Sequence, residues 1–71
     1  MIDSLSPRER RVMEILAEGY NERETADKLF ISPHTVATHV SRVKRKLKAR
    51  NRVHAILIFA RHQFAWRSAL V

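Results

Sequence analysis

The chain has no cysteine, a single glycine, two prolines and no acidic residue after Asp27. Each scarcity excludes something. Without thiols there is no disulfide framework and no thiolate metal centre, and the redox compartment stays open. One glycine cannot build a glycine-rich phosphate loop. No apolar run approaches the roughly 20 residues needed to span a bilayer. The opening MIDSLSPRER lacks the apolar core of a secretory signal, so a cytoplasmic protein is expected. His34, His39, His54 and His62 form no i, i+4 pair and have no carboxylate cluster beside them, so no metal or cofactor is expected. No nucleophile pairs with a base, and 71 residues are too few to wall off a pocket, so the chain does not read as an enzyme.

What is present is charge, unevenly placed. The 71 residues carry a net charge of +7. Residues 1–27 hold all seven carboxylates and four basic residues; residues 28–71 hold the other ten basic residues and no acid. Seven of those ten lie between Arg42 and Arg52. A field of that sign gathers polyanions, with nucleic acid the first partner to consider and an anionic membrane surface the second. A chain this short buries only roughly 60% of its unfolded surface, so a single domain over 1–71 is expected, with a core at about 5–62 and a tail at 63–71.

Start signals divide the chain into four helices. Ser6, Pro7 and Glu9 make a capping box with proline at the first helical position, after Leu5 as a hydrophobic staple. The first helix should run to about Glu18 and end at Gly19. Asn21 and Glu24 repeat the spacing and start a short second helix, about Glu22 to Leu29. Ser32 and Pro33 then open a third helix, expected to reach about Lys48. The connection is so short that helices two and three must cross steeply, the layout of a helix-turn-helix. The turn lacks the usual glycine; packing of Phe30 and Ile31 is expected to fix it. Asn51 caps a fourth helix from Arg52, apolar nearly all round, part of which should meet the core and part another chain.

The third helix organises the rest. Val36, Val40, Val43 and Leu47 recur on one stripe. At about 100° per residue the opposite face carries His34, Thr38, Ser41, Arg42 and Arg45, without a carboxylate. A solvated face usually mixes long charges of both signs; this one points to an anionic partner.

Laid out this way, the chain resembles the DNA-binding domain of LuxR-type (GerE/NarL-type) bacterial transcriptional regulators. The resemblance covers about residues 5–62 and rests on LSPRE at 5–9, Gly19, ERETADKL at 22–29, ISPHTV at 31–36, His39, Lys46-Leu47 and RVHA at 52–55. It implies an all-α, four-helix bundle-like domain containing a helix-turn-helix, without cofactor. Its function would be sequence-specific binding of double-stranded promoter DNA and regulation of transcription at the nucleoid. Helix 32–48 would enter the major groove. Helix 52–62 would form a homodimer on inverted half-sites. RNA polymerase is a further candidate partner.

The resemblance also implies residue roles. Base contacts fall on Ala37, Thr38 and Ser41, with Arg42 and Arg45 nearby. Phosphate contacts fall on Arg23, Ser32, Thr35 and Lys46, with Lys48 adding charge. His39 is read either as a half-buried histidine bonded to backbone or as a phosphate contact. Dimer contacts fall on Val53, Ile56, Leu57 and Ala60. Phe64 and Trp66 read as packing or dimer contacts rather than base-stacking groups.

The chain departs from the family at three positions. Ala37 stands where many members carry lysine, Thr25 where a branched apolar residue is common, and Gln63 where a glycine often closes the fourth helix. The family's domain usually follows a receiver or ligand-binding domain, and none is in this sequence. Either a stand-alone regulator or a C-terminal fragment of a larger one, such as a response-regulator output domain, is therefore expected. Three other readings stay open: region four of a sigma factor, a protein-interaction module using helix four, and a basic element on a membrane surface.

Overall fold

The computed structural model describes residues 4–70, with side chains described for residues 4–63. It contains α1 (Pro7–Ala17), α2 (Glu22–Leu29), α3 (Pro33–Lys46) and α4 (Arg52–Leu70). The fold is the all-α helix-turn-helix arrangement that the sequence implies.

Local chemistry starts each helix. Ser6 is extended, its hydroxyl accepts the Glu9 amide at 3.1 Å, and its own amide donates to Glu9 Oε1 at 2.8 Å. Asn21 and Glu24 make the same reciprocal pair at 2.8 and 3.0 Å. Asn21 also explains a departure from the family. Thr25 is fully buried, and its hydroxyl donates to the Asn21 carbonyl at 2.7 Å. A buried hydroxyl so satisfied costs little in a place where an apolar residue is usual. Asn51 caps α4 by accepting the His54 amide at 2.8 Å, and His54 Nδ1 accepts the Arg50 amide at 3.0 Å.

The helices stop by left-handed residues. Gly19 has φ 104°, which glycine tolerates without penalty. A Cβ there would meet nothing within 4 Å, so backbone conformation, not space, calls for the glycine. Phe30 (φ 58°) ends α2: its amide donates to the Asp27 carbonyl at 3.4 Å and the Ile31 amide to Ala26 at 3.0 Å. Lys48 (φ 55°) follows α3 in the same way, with the Ala49 amide on Lys44 at 2.9 Å. Both are Schellman motifs built without glycine. Lys48 therefore lies beyond α3, which stops at Lys46.

The turn between α2 and α3 corrects an expectation. Ile31 is half-buried and packs on the core as anticipated, but Phe30 is 93% exposed. Backbone hydrogen bonds, not aromatic packing, fix this turn.

The core joins Leu5, Val12, Met13 and Leu16 to Ala26, then to Val36, Val40, Val43 and Leu47, and finally to Ala55 and Phe59. The whole α3 stripe is therefore inside. α3 packs against all three other helices. Each valine or leucine so buried contributes about 1.5–3 kcal/mol before entropy is counted. α4 continues past Gln63 to Leu70. The expected contacts of Phe64 and Trp66 fall on side chains outside those described.

Candidate nucleic-acid interface

The stripe inside the core fixes what α3 shows outside. His34, Ser41, Arg42 and Arg45 are exposed; Ala37, Thr38 and Lys44 are half-buried at its flanks. No carboxylate interrupts this face, because α3 contains none.

At its start, the Ser32 hydroxyl accepts the Thr35 amide at 3.1 Å and lies 2.9 Å from the Thr35 hydroxyl. Two hydroxyls thus meet at the positive end of the helix dipole, where an anion is stabilised. Exposed Arg23, at the second position of α2, is the nearest helix-start cation in sequence. At the other end, Ser41, Lys44, Arg45, Lys48 and Ala49 line an open basic concavity. Its cations are three, so a polyanion passing along it gains several charge-assisted contacts.

Two polar side chains in the middle are not equally available. Thr38 turns its hydroxyl back to the His34 carbonyl at 3.1 Å. Ser41 is exposed and makes no such bond among the described contacts. His39 is half-buried with Nδ1 enclosed and without a hydrogen-bond partner. The expected backbone bond is thus missing at Nδ1.

Lys46 is engaged within the domain. Its ammonium lies 2.7 Å from Glu9 Oε1 and 3.0 Å from the Ser4 carbonyl. Burial alone raises the Glu9 carboxyl. The Lys46 hydrogen bond, the Ser6 amide and the Lys46 charge outweigh it, so the pKa falls below its ordinary value. With its charge matched by a carboxylate only 4% exposed, Lys46 is a strut between α1 and α3. Arg52 pairs with Glu22 at 3.3 Å, fastening the start of α4 to the start of α2.

Away from α3, α4 divides its apolar residues. Ala55 and Phe59 are buried and Ile56 is half-buried against the core. Val53 is 65% and Leu57 47% exposed, and both line a shallow depression with Arg50, Asn51 and His54. Ala60 is half-buried.

The family model for "Bacterial regulatory proteins, luxR family" matches residues 3–59. The chain belongs to the LuxR family. It is 40% identical over 58 residues to the nitrate/nitrite response regulator protein homolog of Haemophilus influenzae, covering 82% of this chain and 28% of that protein. It is 40% identical over 52 residues to the transcriptional regulatory protein DesR of Bacillus subtilis, covering 73% of this chain and 26% of that one. A Mycobacterium tuberculosis chain matches at 42% over 53 residues, 75% of this chain and 6% of its own length. The chain thus spans about a quarter or less of these relatives. Family membership makes the four-helix unit a non-enzymatic regulatory module. Among the described residues no group of His, Cys, Asp and Glu could hold a metal, and no helix is long and apolar enough to cross a membrane.

Proposed function

We propose that this LuxR-family domain binds double-stranded DNA by laying the outward face of α3 in the major groove, and so regulates transcription. The observation that carries the reading is the division of α3. Its apolar stripe is wholly inside, and its outer face presents a capped positive helix end, exposed Ser41, and the cations Arg42, Lys44 and Arg45 without an acid. An α-helix of this kind fits the major groove, where short polar groups and arginine reach base edges. Ser41, Arg42 and Arg45 are the readers, and Ala37 touches a thymine methyl rather than a guanine edge. Thr38, whose hydroxyl donates to the His34 carbonyl, reads a base only as an acceptor while that bond is kept. Ser32, Thr35, Arg23, Lys48 and His39 hold phosphates, and Arg45, beside Lys44 and Lys48 in the basic concavity, also holds one.

The same burial speaks against the membrane reading, because α3 has no apolar face left to insert. The match to the LuxR family over residues 3–59 takes the place of the sigma-factor reading. Exposed Val53 and Leu57 on α4 support a homodimer on inverted half-sites, centred about 10 base pairs apart. Ile56 and Ala60 border that contact. A bacterial cytoplasmic setting and contact with RNA polymerase belong to the same proposal.

The test is duplex affinity measured across a range of salt. The account expects a steep log–log dependence on salt, shallower by about one for Arg45→Ala. A slope near zero, or one that Arg45→Ala leaves unchanged, contradicts it.

A further inference from the structure

Phe30 combines three features that ordinary packing does not explain. It is an aromatic side chain 93% exposed to solvent. Its backbone is left-handed, at φ 58° and ψ 42°, where a non-glycine residue costs about 1–2 kcal/mol and a bulky one is a rarity. It also precedes by two residues Ser32, the cap of α3. Two peptide units hold its Cα within about 7 Å of the mouth of that helix.

Glycine or asparagine would close α2 there with less strain and less exposed apolar surface. Strain held by surrounding structure tends to gather at functional positions. Among the described residues only Phe30 and Lys48 are non-glycine residues with positive φ, and they bracket α3 on either side. The Schellman bonds from Phe30 and Ile31 fix the backbone, so the ring projects from a rigid turn, not a loose loop.

We infer that Phe30 is a DNA-contacting residue, packing its ring on the apolar edge of the duplex beside the half-site, a deoxyribose or a thymine methyl. This rests on the proposed docking of α3, whose N-terminal residues would approach base edges. The ring brings no charge. It adds apolar burial at the flank of an interface otherwise held by cations, hydroxyls and amides, in the manner of apolar side chains that contact nucleotides.

The test measures affinity of the purified chain for a selected duplex at fixed salt, together with thermal unfolding. Wild type, Phe30→Ala, Phe30→Gly, Phe30→Leu and Arg45→Ala are compared. Phe30→Ala and Phe30→Gly should weaken binding about five- to tenfold with an unchanged salt slope, because no phosphate contact is lost. Phe30→Leu should recover part of the loss. Phe30→Gly should melt a few degrees higher than wild type, so weaker binding cannot be laid to unfolding. Deoxyuridine in place of thymidine distinguishes the two edges: a Phe30 effect that vanishes assigns the methyl, and one that persists assigns the sugar. Loss of affinity in Arg45→Ala with wild-type affinity in Phe30→Ala and Phe30→Gly overturns this inference alone. That result would point the ring at a protein partner. Failure of wild type to bind duplex overturns the inference and the proposed function together.

Discussion

Lys46 and Glu9 meet at 2.7 Å, joining the last residue of α3 to the capping box of α1. The carboxylate also holds the Ser6 amide, so one side chain caps α1 and fastens α3 to it. A helix that must present its outer face at a fixed angle gains from being tied at its far end as well as along its stripe.

Lys46→Met should destabilise the domain by roughly 1–2 kcal/mol, because it leaves the Glu9 carboxylate short of a partner. The figure is held below that of a deeply buried pair because the lysine is 37% exposed. Urea unfolding measures it. The salt slope of DNA binding should stay near wild type, unlike that of Arg45→Ala. A reduction of about one in the Lys46→Met slope would place Lys46 among the phosphate contacts.

Glu9 also sets an acid limit. Its pKa is lowered in the folded state, so its contribution is present above the ordinary value of 4.5 and is lost as pH falls through the folded value. Stability should therefore drop below about pH 4.5 in wild type, and drop less steeply in Glu9→Gln, which has no carboxylate to protonate. Thermal midpoints across pH 3–7 check this, taking ~3–7 as the range in which carboxylates complete their titration.

Ser41→Ala should reduce preference among DNA sequences by about 1 kcal/mol while sparing non-specific binding. Thr38→Ala should have a smaller effect, since the Thr38 hydroxyl is already engaged with the His34 carbonyl. Competition between specific and random duplexes measures both. Equal losses on the two duplexes would remove Ser41 from the base contacts.

Leu57→Asp should weaken dimer formation and operator binding with little change in monomer stability, because Leu57 is 47% exposed. Ile56→Asp should lower stability as well, since Ile56 also packs on the core. Sedimentation with and without duplex, beside unfolding curves, separates the two effects. A Leu57→Asp chain that still binds as a dimer would remove that residue from the interface.

The sequence made the helices legible because their signals are local. Capping pairs lie three residues apart, and the α3 stripe repeats every three or four. The Glu9–Lys46 pair spans 37 residues, and helical phase alone gave only a hint of it. Lys46 lies about 90° from the buried stripe, whereas Arg45 lies nearly opposite. Phe30 escaped for another reason: a turn without glycine suggested that its aromatic residue packs inward. Backbone bonds closed the turn instead and left the ring outside. The outer face of α3 was legible once its stripe was known, since one follows from the other.

The most direct test of the central claim is enrichment of random duplexes on the purified chain at a fixed, stated salt concentration. The account predicts a palindromic motif with half-sites about 10 base pairs apart, and a broader motif for Ser41→Ala. Recovery of duplexes without any shared sequence, by a chain that remains folded, would contradict the claim that the acid-free face of α3 reads DNA.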